Sequence, residues 1–154
     1  MNHFFAYINR MRFIQRWSLM RNSYTENIQE HSHQTAVLAH ALAVLRNERF
    51  GGQVDVGAVA VAALYHDAGE ILTGDMPTPV KYHNTALRDA YKALERESVS
   101  SMTDLLPAEL GEEIAPFITG DLLTPEEKKL LKAADRLSAL VKCMEEQRSG
   151  NHAF

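Results

Sequence analysis

Val59-Ala60-Val61-Ala62-Ala63-Leu64-Tyr65-His66-Asp67 is an unbroken apolar run closed by an imidazole and a carboxylate. It reads as a helix: Ala58, Val61, Ala62 and Tyr65 recur at helical spacing, and Asp55 stands where an N-cap belongs. The predicted helix extends to about Leu72, which puts His66-Asp67 near its C-terminal end. Beyond it, Thr73-Gly74-Asp75-Met76-Pro77-Thr78-Pro79 cannot continue a helix, because each proline lacks an amide donor and restricts the residue before it. A shaped loop therefore follows directly on two metal-liganding side chains.

Working outward, helical periodicity dominates the rest of the chain, and no segment sustains two-residue alternation between turn signals. The fold class is all-α, a bundle of about six helices. Phe4, Phe5, Ile8, Met11 and Ile14 or Gln15 mark one face of a first helix ending near Arg16-Trp17, with a polar connection over Arg21, Asn22, Ser23, Thr25 and Asn27. A second helix runs from about Glu30 to Arg49, stopped by Gly51-Gly52, and carries His31, Thr35, Leu38, Leu42 and Leu45 on one face. Asn84 to about Leu106 forms a fourth helix, and Pro107 opens a shorter fifth. The last begins at Thr124-Pro125-Glu126-Glu127, where Thr124 and Glu127 make a capping box and Pro125 suits the first helical position. Leu130, Ala134, Leu137, Val141 and Met144 are its expected buried stripe, with Asp135 beside them.

Composition limits what such a bundle can do. The 154 residues suit one domain, 1–154, and the 45% hydrophobic and 23% charged balance is that of a soluble globular chain. No window approaches the roughly 20 apolar residues of a membrane-spanning helix, and Met1 to Phe13 does not read as a signal peptide. Cys143 is the only cysteine, which excludes a thiolate metal cluster and an intrachain disulfide and makes a reducing cytoplasm the simplest location. A net charge of -4 gives no general attraction to a nucleic-acid polymer.

The chemistry rests on residues that separate helices must bring together. His31, His66, Asp67 and Asp135 supply two imidazoles and two carboxylates, a nitrogen and oxygen set that suits a borderline transition metal better than calcium. Adjacent helical side chains point about 100° apart, so His66 and Asp67 share an ion only over the edge between them. Glu70, one turn beyond His66, stands where a carboxylate can act as general acid or base on the water that such a metal activates. Arg16 offers a planar fork matched to phosphate oxygens. Each residue alone also has an ordinary structural explanation: a buried helix-face histidine, a surface Asp135 paired with Arg136, a packed Trp17, a plain connecting loop. It is their agreement in order and type that points to a metal site.

His31, His66-Asp67 and Asp135, in that order, resemble the metal-binding signature of the HD-domain phosphohydrolases. Arg16-Trp17, Thr25-Glu26-Asn27, Glu30-His31-Ser32, Tyr65-His66-Asp67-Ala68-Gly69-Glu70 and Thr73 to Lys81 resemble more closely the bacterial 5'-deoxynucleotidases of the YfbR type, over nearly the whole chain. The resemblance implies an HD-domain bundle that hydrolyses deoxyribonucleoside 5'-monophosphates to deoxynucleoside and phosphate, with one divalent cobalt, manganese or other transition metal, as a cytoplasmic homodimer. It implies His31, His66, Asp67 and Asp135 as metal ligands, with His31, Asp67 and Asp135 also facing substrate. Glu70 matches the catalytic carboxylate, Arg16 the group orienting the phosphate, Trp17 the neighbour of the sugar, and Asp75, Met76, Pro77 and Thr78 the loop holding the nucleoside. Members of that family continue beyond the position of Phe154, so a C-terminally shortened domain is expected here.

Two other functions fit the same residues. One is a different HD-domain phosphohydrolase acting on nucleoside triphosphates, cyclic nucleotides or alarmones. The other is a non-catalytic nucleotide-sensing module, against which the intact Glu70 counts, because a site that only binds has no need of a carboxylate placed to move protons.

Overall fold

A computed structural model describes residues 3–154, so Met1 and Asn2 of the expected domain lie outside the described residues. Among those residues the chain is helical, with only an isolated antiparallel bridge between Gln15 and Asn27 and no strand. The helices are α1 (Phe4–Ile8), α2 (Ile28–Phe50), α3 (Val56–Tyr65), α4 (Glu70–Thr73), α5 (Thr78–Lys81), α6 (Thr85–Thr103), α7 (Ala108–Thr119) and α8 (Pro125–Arg148). No described helix is long and apolar enough to cross a membrane.

The two longest helices, α2 and α8, begin with the same device. Asn27 accepts from the backbone N–H of Gln29 and Glu30 while Glu30 reaches back to Asn27; Thr124 and Glu127 do the same at α8. Each cap satisfies amides that helix geometry leaves without partners and contributes about 1 kcal/mol. Asp55 caps α3 through the Ala58 amide, and Gly51 ends α2 in the left-handed conformation that glycine adopts at least cost.

Alanine decides how closely the central helices approach. Ala36, Ala39 and Ala43 of α2 pack against Ala58, Val59, Ala62 and Ala63 of α3 and Ala134 of α8, with Leu38, Leu42, Leu130 and Leu131 around them. Small side chains let the backbones come together, so residues at the start of α2, just past the end of α3 and in the middle of α8 meet within one side chain's length. A second cluster of Phe4, Met11, Ile28, Ala68, Ile71, Met102, Leu106 and Ile118 supports the turn after α3.

Four expectations change. The first helix is not continuous to Trp17: α1 stops at Ile8, a 3-10 turn covers Asn9–Phe13, and Gln15 then pairs with Asn27. The third helix ends at Tyr65 rather than Leu72, and the chain tightens through His66–Gly69 with Ala68 bonding back to Tyr65 and Glu70 to Asp67. Close packing explains that turn, since a Cβ on Gly69 would lie 3.2 Å from the Glu95 carbonyl oxygen of α6. Thr78–Lys81 is a short helix inside the expected loop. Finally, Leu137 and Met144 of the predicted α8 stripe are exposed, as is Leu45 on α2; the buried ridge of α8 is Ala134, Ser138, Lys142 and Glu146.

Candidate active site

Three helices converge on Asp67. Its Oδ2 lies 3.6 Å from His31 Nε2, which projects from the first turn of α2, and 3.3 Å from His66 Nε2 in the turn after α3. Asp135 of α8 joins from the other side, its Oδ1 3.2 Å from His31 Nε2 and its Oδ2 2.6 Å from Lys132 Nζ. Of the four residues the sequence nominated, His31, His66 and Asp67 each place one ligand atom within 4.8 Å of the others, and Asp135 meets this set at His31.

Hydrogen bonding fixes which imidazole nitrogens are free. His66 Nδ1 lies 2.8 Å from the Ala63 carbonyl oxygen, which can only accept, so Nδ1 carries the proton and Nε2 the lone pair. His31 follows the same logic one step removed. The Ser138 hydroxyl donates to Gln34 Oε1 at 2.6 Å, so its oxygen accepts from His31 Nδ1 at 3.0 Å and turns His31 Nε2 toward Asp135 and Asp67. Both Nε2 atoms face carboxylate oxygens, and buried His66 Nε2 has no hydrogen-bond partner. Neutral imidazoles would present their Nε2 lone pairs to these carboxylates as acceptors that a shared cation joins, so this donor set fits a divalent metal.

Above this cluster opens a cleft of about 520 Å³, within the range of small-molecule sites. Arg16, Trp17, Asp67, Glu70, Asp75, Met76, Pro77, Thr78 and Asp135 all line it. His31 does not: it is fully buried beneath the carboxylates. His66 faces a second cleft, which shares Asp67, Glu70 and Asp135 with the first.

Glu70 is almost fully buried, its Oε2 has no hydrogen-bond partner, and its Oε1 is 4.0 Å from Lys81 Nζ. Burial, reinforced by the negative charges of Asp67 and Asp75, pushes its carboxyl up to about 9. Asp75 is also raised by burial, against the opposing charge of Arg16.

Glu26 is the functional residue that sequence reasoning passed over. One of its oxygens, Oε2, accepts both from Arg16 Nε at 3.0 Å and from the Trp17 indole N–H at 2.7 Å, so a single carboxylate aims the guanidinium and the ring together. Arg16 NH1 then reaches to 3.5 Å from Asp67 Oδ2. Trp17 has φ of 61°, an uncommon conformation for a non-glycine residue that its surroundings must hold in place. The sequence signal was Thr25-Glu26-Asn27 beside the α2 cap, but nothing in it shows that Glu26 folds back across Arg16-Trp17. Ser138 and Gln34 were missed likewise, being ordinary polar residues until His31 is placed between α2 and α8.

The likenesses of this chain to known proteins agree with that geometry. The model of the YfbR-like 5'-deoxynucleotidase family matches residues 3–154. A 5'-deoxynucleotidase of Photorhabdus laumondii is 48% identical over 154 residues, covering 100% of this chain and 78% of that protein. The 5'-deoxynucleotidase YfbR of Escherichia coli is 49% identical over 153 residues, covering 99% of this chain and 77% of its own. Among solved structures, an HD-domain phosphohydrolase from Listeria innocua superposes with a TM-score of 0.79 at 25% identity, over 97% of this chain and 71% of that one. A cyanophage S-2L HD phosphohydrolase, bound to dA and one catalytic zinc ion, superposes with a TM-score of 0.62 at 25% identity, over 87% and 66%. The chain spans a little over three quarters of the length of those two 5'-deoxynucleotidases. A helical bundle that brings His31, His66-Asp67 and Asp135 to one point, matched over nearly its whole length, belongs to the YfbR-like 5'-deoxynucleotidase family of HD-domain phosphohydrolases.

Proposed function

We propose that this chain is a single HD domain that hydrolyses deoxyribonucleoside 5'-monophosphates to deoxynucleoside and phosphate. The observation that carries the reading is the convergence of His31 Nε2 and His66 Nε2 on Asp67 at the floor of a cleft that also holds Arg16 and a buried, unpartnered Glu70 oxygen. Membership of a family whose relatives are 5'-deoxynucleotidases supports the substrate class.

His31, His66, Asp67 and Asp135 would hold one divalent metal, which when bound lowers the pKa of water and offsets charge on a phosphoryl oxygen. Cobalt or manganese suits the nitrogen and oxygen donors, and zinc in the cyanophage relative supports a borderline ion. Arg16, held by Glu26, presents its remaining N–H groups to the phosphate. In the reaction the bond from phosphorus to the 5'-oxygen breaks, a bond from phosphorus to the oxygen of water forms, and the departing 5'-oxygen takes a proton. Glu70 Oε2 is the atom placed to hold or move that proton, and in the metal-free chain burial raises its carboxyl toward the protonated form that donates.

Trp17 is the sugar wall: an aromatic face packed against C2' excludes an added hydroxyl by size and by leaving it without a partner. Asp75, Met76, Pro77 and Thr78 grip the nucleoside, and Asp75 is tied to the wall because it accepts the Trp17 backbone N–H.

The homodimer finds support in Leu137, Leu140 and Met144, an exposed apolar stripe at helical spacing on α8 of the kind a second copy covers. A cytoplasmic location is in keeping with a lone cysteine. The test is phosphate release from a panel of deoxy- and ribonucleoside monophosphates after reconstitution with cobalt, manganese or zinc. Turnover of deoxyadenylate with little of adenylate is the expected result. Folded, metal-loaded protein that releases no phosphate from any deoxynucleotide defeats the reading.

A further inference from the structure

The buried ridge of α8 holds a charge pair that the reaction does not use. Lys142 is 2% exposed and Glu146 0%, and the two are bonded to each other. Removing two charges from water costs more than their attraction usually returns, and apolar residues of the same size would serve a helix interface at least as well. Apart from a bond from Asn151 and the Phe154 ring beside Lys142, the pair's remaining contacts go to one place, the segment between Trp17 and Glu26. Glu146 accepts the Ser23 backbone N–H at 2.9 and 3.1 Å; Lys142 Nζ donates to the Tyr24 carbonyl at 2.7 Å and sits 3.8 Å over the Tyr24 ring. Asn151 donates to Glu146 at 2.7 Å and also to the Arg21 carbonyl oxygen.

The same segment is closed at its base. Arg16 N–H bonds to the Glu26 carbonyl at 2.9 Å, and Ile28 N–H to Ile14 at 3.0 Å. Between tip and base stands Trp17, in its left-handed conformation, with its ring 5.0 Å from that of Phe154. Ser138, which sets the His31 tautomer, lies on the same ridge, one turn from Lys142 and two from Glu146. A single rigid helix therefore indexes the metal-binding histidine at one level and the Trp17 segment about 12 Å along its axis.

We infer that the Lys142–Glu146 pair is a positioning device that clamps the tip of the Arg21–Tyr24 segment to α8 and so sets Trp17 at the distance from the metal cluster that admits deoxyribose and refuses ribose. The inference rests on Trp17 being the sugar wall. Hydrogen bonds to backbone groups suit the task, because they fix the path of the main chain whatever side chains the loop carries.

The test compares two double variants of the metal-reconstituted protein. Lys142→Met/Glu146→Leu preserves volume and removes the pair's bonds to Ser23 and Tyr24 while leaving those of Tyr24 to Glu145 and of Asn151 to Arg21; Lys142→Met/Glu146→Gln keeps an acceptor for the Ser23 amide. Circular dichroism and metal stoichiometry are read alongside kinetics on deoxyadenylate and adenylate. The leucine variant is expected to be folded and metal-replete, with KM for deoxyadenylate raised about tenfold, a smaller change in kcat and a loss of deoxy-over-ribo preference. The glutamine variant is expected to recover most of that preference. Should the leucine variant not fold, Asn151→Ala, which cuts the bridge from Glu146 to Arg21 and with it the Ala153 N–H bond to Asn151 Oδ1, must shift the preference in the same direction by a smaller factor. Unchanged sugar preference in a folded leucine variant, or in Asn151→Ala where the leucine variant does not fold, overturns the inference. So does a fall in activity that merely tracks folded fraction or metal content. Parent protein without turnover would instead remove the nucleotidase reading.

Discussion

The two sides of the active-site cleft are built in opposite ways. On the metal side, His31 and Asp135 stand on α2 and α8, long helices with capping boxes, packed across an alanine core that fixes their separation. On the nucleoside side, Trp17 and Asp75–Thr78 stand on irregular chain: a strained residue in a loop, a left-handed Gly74, and a helix of one turn opened by Pro77. Ligands of a metal must hold a fixed mutual geometry, which regular helices supply from backbone bonding alone. A wall that distinguishes two sugars, the role proposed for Trp17, must sit where no regular element would leave it; Glu26 bonds the Trp17 indole directly, and Lys142 and Glu146 bond the backbone of Tyr24 and Ser23 in the same segment. The difference predicts distinct failures: damage on the first side removes turnover, and damage on the second changes what is turned over.

The sharpest break is at Asp67, which touches His31, His66 and Arg16. Asp67→Ala is expected to lose stoichiometric metal and to reduce kcat about a thousandfold or more, with helicity retained because the helices do not depend on it. Retention of metal at full stoichiometry would show that the centre lies elsewhere. Next comes Glu70→Gln, expected to lower kcat by about 10²- to 10⁴-fold while metal content stays constant. The same variant has an opposite effect on stability. With its carboxyl raised from the ordinary 4.5 to about 9, Glu70 keeps its proton in the folded state where the unfolded chain loses it, so metal-free protein loses stability as pH rises from about 4.5 to about 9. Glutamine cannot ionise, and Glu70→Gln should therefore melt several degrees above the parent at pH 8 and close to it at pH 4.5. Parallel melting curves across that range would show the carboxyl to be ordinary.

The metal side was also the legible side. Asp55, Thr124-Glu127, Gly51 and the order His31, His66-Asp67, Asp135 were readable because caps and ligands are local signals, and α2, α3 and α8 then place them. The nucleoside side could be named only by resemblance. Periodicity carried the first helix through to Trp17, because a 3-10 turn and an antiparallel bridge leave no mark on an apolar pattern of that length. It also placed Leu137 and Met144 in the core of α8, where the buried positions belong to Ser138, Lys142 and Glu146. Each of those three polar residues also bonds a group more than a hundred positions away, which a window of helical length cannot contain. Turn-tightening at His66–Gly69 was hidden for the same reason: the contact that demands it is with Glu95 on α6.

Two smaller perturbations sharpen the contrast. Ser138→Ala removes the acceptor that fixes the His31 tautomer and should weaken metal affinity by about 10- to 100-fold without altering sugar preference at saturating metal. An equal loss for deoxy and ribo substrates that added metal restores is the expected pattern, and a changed preference would join the two sides.

Glu26→Gln probes the joint between them with the least change in volume. The amide keeps one oxygen, which can accept from either Arg16 Nε or the Trp17 indole, whereas the carboxylate oxygen now serves both at 3.0 and 2.7 Å. Losing the charge-assisted share of those bonds frees the guanidinium to swing toward Asp67, 3.5 Å away, and loosens a residue already held against its backbone preference. If Arg16 binds phosphate in substrate and transition state alike, as proposed, KM should rise by about three- to tenfold with kcat within about twofold of the parent. The deoxy-over-ribo ratio should fall with it, since the same oxygen aims Trp17. A rise in KM with the ratio untouched would assign Glu26 to Arg16 alone, leaving Trp17 to be held from α8 and by Phe154.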